Sequence, residues 1–128
     1  MAKILLVEDH EATRKTLIKR LSRAGHEVHE ASNGTEGIEV FNQHAFDLVI
    51  LDFMMKRMNG MQVFEKLKVI KPHIPYILLT AYAHNGIIKQ FQNAGGADFI
   101  VKPFREDLEE RVEKVLDQSG TNLSPSPA

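Results

Sequence analysis

Apolar residues recur along this chain in two alternating patterns. Five short runs rich in aliphatic or β-branched residues have the length of β-strands, namely Lys3–Val7, Glu27–Glu30, Asp47–Leu51, Tyr76–Leu79 and Asp98–Val101. The first, third and fourth runs are nearly continuous in apolar residues, as expected of strands that are covered on both faces. Between the runs, apolar residues lie three or four positions apart, which predicts amphipathic helices. The pattern predicts five strands that alternate with five helices.

Residues that share a helical face locate these helices. The five stripes are Thr13, Leu17, Leu21 and Ala24; Gly37, Val40, Phe41 and His44; Val63, Phe64, Leu67 and Ile70; Ile87, Ile88, Phe91 and Ala94; and Leu108, Val112, Val115 and Leu116. Gly25 and Pro72 follow the first and third stripes, where helices end. Asn33 with Glu36 has the spacing of a capping box at the start of the second.

This alternation predicts an α/β fold, with a five-stranded parallel sheet doubly wound by helices in a flavodoxin-like (βα)5 order. We assign residues 1–118 to this domain. Residues 119–128 are rich in Ser and Pro and have little to bury, so we expect a disordered tail or the start of a linker. In such a sheet, residues just past the carboxyl ends of the strands converge in one crevice.

Composition narrows the classes of function. The net charge is −1, from 16 Lys and Arg against 17 Asp and Glu, so no basic field favours nucleic acid or a membrane surface as a partner. Cysteine is absent, which excludes disulfides, thiolate metal sites and cysteine nucleophiles. No apolar run has the length of a signal peptide or a membrane span. We therefore expect a cytoplasmic protein.

Charged and hydroxyl residues follow four of the predicted strands. They are Glu8 and Asp9 after the first strand, Asp52 after the third, Thr80 after the fourth and Lys102 after the fifth. Three crowded carboxylates repel one another and favour a cation, and oxygen-only ligands suit Mg²⁺. Carboxylates also form aspartyl phosphates, so Asp52 is a candidate nucleophile. The hydroxyl and the ammonium would bind oxygens of a transferred group.

The strand-end motifs resemble the receiver domains of two-component response regulators. The resemblance covers about residues 3 to 117, and the matching stretches are Ile4-Leu5-Leu6-Val7-Glu8-Asp9, Leu51-Asp52-Phe53-Met54-Met55, Leu79-Thr80-Ala81 and Val101-Lys102-Pro103-Phe104. It implies a domain that accepts a phosphoryl group from a histidine kinase or a histidine phosphotransfer protein, with Mg²⁺ as cofactor. Such a domain is a phosphoacceptor that assists its own phosphorylation and dephosphorylation, and is not otherwise an enzyme.

The resemblance also implies roles for particular residues. Asp52 would be the phosphoacceptor. Asp9, Asp52 and the backbone carbonyl of Met54 would ligate Mg²⁺, and Glu8 would act mainly through bound water. Lys102 would bind the phosphoryl group, and its peptide bond to the following proline is expected to be cis.

A conformational switch is the second implication of the resemblance. Thr80 would bind the phosphoryl group and move toward it, and Phe99 would turn into the vacated space. The surface formed by helix four, strand five and helix five would then change, and a dimer partner or an output partner would read it. A stand-alone receiver, a relay intermediate and a piece of a larger regulator all fit these residues.

Two pairs of residues bear on how this chain would handle a phosphoryl group on Asp52. Met54, two residues past Asp52, and Tyr82, two residues past Thr80, would flank the path of a water attacking an aspartyl phosphate. Neither side chain offers a carboxylate or an amide to orient that water, so we expect slow loss of phosphate. Lys56 and Arg57 follow the Met-Met pair, where the family commonly has proline first. We interpret them as solvated loop residues.

Two other classes of protein share part of the pattern. A Mg²⁺-dependent phosphohydrolase with an aspartyl intermediate would share the chemistry, but such enzymes commonly place a second Asp where Met54 stands. A flavin-binding module would share the fold, but it needs a phosphate-binding loop after strand one. Glu8 and Asp9 occupy that place and would repel a phosphate unless a cation intervened.

Overall fold

The structure, a computed structural model, describes residues 1–81 and 85–119. Strands and helices alternate along the chain. Their bounds are β1 Lys3–Val7, α1 Glu11–Arg23, β2 Glu27–Ala31, α2 Gly34–Gln43, β3 Leu48–Asp52, α3 Gly60–Ile70, β4 Tyr76–Thr80, α4 Asn85–Asn93, β5 Asp98–Val101 and α5 Leu108–Ser119. Beyond α5, the predicted tail lies outside the described residues. Within the described part, no helix is both long and apolar enough to cross a bilayer.

The strands form one parallel sheet in the order β2-β1-β3-β4-β5. This order confirms the predicted doubly wound, flavodoxin-like fold. The strand bounds agree with the prediction to within a residue at each end, and β3 and β4 each extend one residue further than the apolar pattern. Asp52 pairs with Leu79, and Thr80 pairs with Val101, so these two polar residues are the last residues of their strands. The sheet itself therefore holds their backbones in place.

Two hydrophobic cores cover the two faces of the sheet. Successive residues of a strand point to opposite faces, so Ile4 and Leu6 pack with residues of α1 and α5, whereas Leu5 and Val7 pack with residues of α2, α3 and α4. Side chains of β1, β3 and β4 are buried on both faces, which explains their nearly continuous apolar runs. The two cores fix the strand ends where the polar residues lie.

Helix ends follow local capping chemistry. The Asn33 side chain accepts a hydrogen bond from the Glu36 amide at 2.8 Å, as predicted, but the Glu36 carboxylate accepts from the Ser32 amide at 2.6 Å and not from Asn33 itself. Gly25 lies at φ 97°, the left-handed conformation that favours glycine after a helix. Four stripe residues depart from the predicted core: Ile70, the last residue of α3, is 47% exposed, and the last residues of three other stripes, Ala24, His44 and Ala94, are also exposed.

Candidate functional site

Three carboxylates meet at the carboxyl edge of the sheet. Glu8 and Asp9 directly follow β1, and Asp52 ends the neighbouring strand β3. One ligand oxygen from each of the three lies within 4.8 Å of the others. Glu8 and Asp52 are buried. The structure thus brings together the carboxylates that the sequence analysis selected, and they form the one such cluster of potential metal ligands among the described residues.

Lys102 joins two of these carboxylates. Its Nζ donates to Glu8 Oε1 at 2.8 Å and lies 2.9 Å from Asp52 Oδ1. Lys102 directly follows β5, and its backbone amide donates to the carbonyl of Thr80 at 2.8 Å. The peptide bond between Lys102 and Pro103 is cis. The ammonium is therefore held beside Asp52 by both its side chain and its backbone.

Burial and charge perturb the protonation of this cluster. The pKa of Asp52 is raised to about 7, chiefly because the carboxyl group is buried; Lys102 acts to lower this pKa, and the neighbouring Glu8 acts to raise it. Burial lowers the pKa of Lys102, but its hydrogen bonds to Glu8 and Asp52 outweigh that effect, and the net shift is upward. Three carboxylates face one ammonium, so the site has an excess of negative charge. An all-oxygen donor set of this kind fits Mg²⁺.

Three of the remaining predicted site residues, Thr80, Met54 and Phe99, lie in the part of the chain that the structure describes. Thr80 is buried at the end of β4. Met54 lies two residues past Asp52, and it is 56% exposed. Phe99 is partly buried and packs against the core on the side of α2, α3 and α4. Tyr82 lies outside the described residues.

The loop between β3 and α3 contains a tight turn. Arg57 lies at φ 68°, a left-handed conformation, and the amide of Met58 donates to the carbonyl of Lys56 at 2.7 Å. Lys56 and Arg57 are exposed. Proline is excluded at the position of Arg57, because its ring fixes φ near −65°.

Two interactions that hold Glu8 were missed by the sequence analysis. The second carboxylate oxygen of Glu8 accepts from the amide of His10 at 3.0 Å. Arg14, one turn into α1, donates from Nη1 to the carbonyl of Glu8 at 2.9 Å and from Nε to Glu30 at 2.7 Å. Arginine near the start of a helix is common, so nothing in the sequence distinguishes this one. Together these contacts fix Glu8 in one orientation.

Gly60 lies directly against the backbone of Asp52. Its amide donates to the carbonyl of Phe53 at 2.9 Å, and a β-carbon at this position would collide with the backbone carbonyl of Asp52. The first residue of α3 therefore has to be glycine for the end of β3 to pass this close. The sequence shows only a glycine after a cap residue, which gives no hint of that contact.

Comparison with known protein families identifies the family to which this chain belongs. A family model described as the response regulator receiver domain matches residues 4–113. The chain belongs to this family. The receiver domain is 36% identical over 119 residues to the transcriptional regulatory protein GlrR of Escherichia coli, and the match covers 92% of this chain and 27% of GlrR. The chain thus spans about a quarter of the length of that relative.

Another relative is close to the chain in length. Sporulation initiation phosphotransferase F of Bacillus subtilis is 30% identical over 115 residues, which cover 89% of this receiver domain and 93% of that protein. A receiver domain protein from Clostridium thermocellum superposes with a TM-score of 0.88 at 27% identity, covering 96% of this chain and 100% of the other. TrrA from Thermotoga maritima, solved in complex with Mg²⁺ and BeF, gives a TM-score of 0.82 at 34% identity, covering 90% and 99%.

These findings separate the three classes of protein considered from the sequence. The receiver domain belongs to two-component signal transduction, and the phosphohydrolase and flavin-binding alternatives are not favoured. The acidic cluster and the Mg²⁺-containing TrrA structure agree with a family that binds Mg²⁺.

Proposed function

We propose that Asp52 accepts a phosphoryl group from a histidine kinase or a histidine phosphotransfer protein. One observation carries the proposal: the Asp52 carboxylate lies within one acidic cluster with Glu8 and Asp9 and is 2.9 Å from the ammonium of Lys102. A nucleophilic carboxylate, a cation site and a fixed positive charge are the parts that phosphoryl transfer needs. Receiver domains meet such donors in the cytoplasm, which is where we place this chain.

The transfer step is a substitution at phosphorus. An oxygen of Asp52 forms a bond to the phosphorus while the bond from phosphorus to the donor's imidazole nitrogen breaks, and the electron pair stays on that nitrogen. Burial raises the pKa of Asp52, so the nucleophile needs a positive environment to stay ionised. Lys102 supplies part of that environment from the chain itself.

Asp9, Asp52 and the backbone carbonyl of Met54 would hold Mg²⁺, and Glu8 would act through bound water. The ion, when bound, would neutralise charge on the carboxylates and on the transferred group. Glu8 is already oriented by His10 and Lys102, so its carboxylate is preorganised within the cluster. The relationship to TrrA, whose structure was solved in complex with Mg²⁺ and BeF, supports this assignment.

Lys102 and Thr80 would bind the oxygens of the phosphoryl group once it is on Asp52. The backbone of Lys102 is hydrogen-bonded to that of Thr80, so the two donors are connected directly. The Lys102 ammonium would exchange its contact with Asp52 for one with the phosphoryl group. A charge-assisted contact of this kind is short and strong.

The output of the switch would be a changed surface on α4, β5 and α5. Thr80 would move toward the phosphoryl group, and the partly buried ring of Phe99 would fill the space behind it. This is a two-state element that a local charge biases. A dimer partner or an output partner would recognise the changed surface.

Phosphoryl labelling tests the proposal. The protein is incubated with Mg²⁺ and a small phosphoramidate donor, and intact mass and peptide mapping locate the added group. We expect one phosphoryl group on Asp52, labile to hydroxylamine as an acyl phosphate is, and no labelling of Asp52→Asn. Asp107→Asn, an exposed carboxylate far along the chain from the cluster, is the control and should label normally. Labelling of Asp52→Asn at the wild-type rate would refute the assignment.

A further inference from the structure

The backbone of Phe99 lies on the open edge of the sheet. β5 pairs with β4 and is the last strand in the order. In a parallel pair, alternate residues of a strand turn their N–H and C=O groups toward a given neighbour. The Lys102 amide donates to the carbonyl of Thr80 in β4, so the backbone groups of residues two or four positions before Lys102 also face β4. Phe99 lies three positions before Lys102, so its N–H and C=O face away from β4. An unpaired edge of this kind normally has to be covered.

Side chains of this domain cover that edge at Phe99. The amide of Phe99 donates to Asp98 Oδ1 at 2.8 Å, and its carbonyl accepts from Arg111 Nη2 at 2.8 Å. The same guanidinium binds both oxygens of Asp98, with Nε to Oδ2 at 3.1 Å and Nη2 to Oδ1 at 2.8 Å. Asp98 and Arg111 thus take the place of a neighbouring strand and satisfy both backbone groups of Phe99.

The contact is partly withdrawn from solvent. The side chains of Arg111 and Asp98 are 34% and 25% exposed, and the hydrogen bonds to Asp98 raise the pKa of Arg111. A bidentate arginine–carboxylate pair fixes geometry as well as charge. A surface pair of long side chains with a single contact would hold the strand far less firmly.

Arg111 connects two parts of the domain that otherwise pack on different faces. It lies on α5, whose buried residues Leu108 and Val112 belong to the core shared with α1. The ring of Phe99 packs into the opposite core. β5 also leads directly into Lys102, which binds Asp52 and Glu8. Arg111 is therefore a direct polar link from α5 to the strand that carries the phosphoryl-binding lysine.

We propose that Arg111 is a positioning residue for the switch: it fixes the β5 backbone at Phe99, so that a change at Thr80 and Lys102 reaches α5. The proposal rests on the phosphorylation of Asp52 proposed above. With the backbone held, phosphorylation reorients the Phe99 ring and α5 follows through the guanidinium. Without the Arg111 guanidinium, β5 moves independently of α5, and the change at Asp52 does not alter α5.

A second arginine provides a matched control. Arg20 on α1 also binds a carboxylate of α5 through two contacts, Nε to Glu109 Oε2 at 2.7 Å and Nη2 to Oε1, and also donates to one backbone carbonyl, that of Arg105 at 2.8 Å. Each arginine thus binds one carboxylate through two contacts and also one backbone carbonyl, but Arg111 joins α5 to β5, whereas Arg20 joins α1 to α5 and to the residues just before it. Comparing Arg111→Gln with Arg20→Gln separates a loss of coupling to β5 from a general loosening of α5.

The experiment measures hydrogen exchange of α5 peptides before and after labelling with the phosphoramidate and Mg²⁺. In the wild type and in Arg20→Gln, we expect phosphorylation to change exchange in α5. In Arg111→Gln, we expect labelling of Asp52 within twofold of the wild-type rate but at least half of the α5 change to be lost. Arg111→Lys should recover part of it, because one ammonium reaches Asp98 or the Phe99 carbonyl but not both.

Several results would overturn the inference. They are a wild-type α5 response in Arg111→Gln, an equal loss in Arg20→Gln, or labelling of Arg111→Gln below half of the wild-type rate. If Arg111→Gln does not fold, Asp98→Asn replaces it: the amide oxygen still accepts from Phe99, but the charge that holds Arg111 is gone, and the same loss is expected. An unlabelled wild type refutes the proposed function itself, whereas a labelled wild type with an unaffected Arg111→Gln refutes the positioning role alone.

Discussion

Lys102 Nζ lies 2.9 Å from Asp52 Oδ1, although the strands that end near these residues are not neighbours. β4 separates β3 from β5, so the lysine side chain reaches past one strand to contact the carboxylate. The same ammonium is hydrogen-bonded to Glu8, next to β1. One side chain thus connects three strand ends and sets the charge balance of the site.

Removing Lys102 should destabilise the domain in a Mg²⁺-dependent way. Lys102→Met leaves Glu8 and Asp52 buried beside each other without a counter-charge. We expect the free energy of unfolding to fall by about 3 kcal/mol in Mg²⁺-free buffer, as for a broken buried ion pair. Mg²⁺ should restore part of the loss, because it takes over the neutralisation of the carboxylates.

Urea unfolding of Lys102→Met with and without Mg²⁺ measures this effect. Lys66→Met, an exposed lysine of α3, is the control and should change stability by less than about 0.5 kcal/mol. If Mg²⁺ stabilises the Lys102 variant no more than the wild type, the lysine does not set the charge balance of the site.

Metal binding should depend on Asp9. Asp9→Asn removes one carboxylate from the cluster and lowers the charge that attracts the ion. We expect Mg²⁺ affinity to fall by about tenfold or more, roughly 1.4 kcal/mol, and labelling by the phosphoramidate to stop. Calorimetric titration with Mg²⁺ measures the affinity. Glu11→Gln is the control, since Glu11 is exposed and pairs with Lys15 at 3.3 Å. Undiminished labelling of Asp9→Asn would contradict the metal assignment.

Gly60→Ala should impair the site through the backbone of Asp52. The new methyl group would push against the Asp52 carbonyl, and overpacking of this kind costs about 1–3 kcal/mol. Gly37→Ala is the matched control, because its methyl group would meet the Val7 side chain at 2.9 Å and no backbone atom of the nucleophile. We expect both variants to lose stability in thermal unfolding, but only Gly60→Ala to label more slowly at a temperature where both are folded. Equal labelling rates would show that Gly60 is purely structural.

Thr80→Ala should uncouple labelling from the switch. The variant keeps the carboxylate of Asp52 and the ammonium of Lys102, so it should still accept a phosphoryl group. Its loss of the hydroxyl removes the group that would move toward the phosphate. Hydrogen exchange over α4, β5 and α5 should then change little on labelling. Thr16→Ala, whose hydroxyl donates to the Ala12 carbonyl on α1, is the control and should respond as the wild type does. A full response in Thr80→Ala would remove Thr80 from the switch.

The phosphorylated state should persist for minutes to hours. Met54 offers no group that would orient an attacking water, and Tyr82, which lies outside the described residues, offers none either. Asn at position 54 combined with Glu at position 82 should accelerate loss of phosphate by about tenfold, roughly 1.4 kcal/mol in the barrier. Decay of the labelled protein, followed by mass with Mg²⁺ present and donor removed, measures the rate. A half-life of seconds that is unchanged in the double variant would contradict the prediction.

The sequence alone predicted the fold and the polar residues that lie at the carboxyl edge of the sheet. Apolar runs of strand length and helical stripes gave the strands to within a residue at each end, because a strand covered on both faces has to be apolar throughout. The order of strands then placed Glu8, Asp9, Asp52, Thr80 and Lys102 at one edge, since parallel strands all end on the same side. These are local or topological rules, and they need no side-chain coordinates.

Only the tertiary structure decided which side chains hold these residues in place. Arg111 contacts Asp98 and the Phe99 carbonyl from another element, Arg14 orients Glu8 from α1, and Gly60 allows the Asp52 backbone to pass. An arginine on an amphipathic helix or a glycine after a cap residue has the same sequence signature whether or not it makes such a contact. Pairing of this kind depends on distances between elements that come together only on folding, and the hydrophobic pattern records which face is buried but not which polar atom lies opposite.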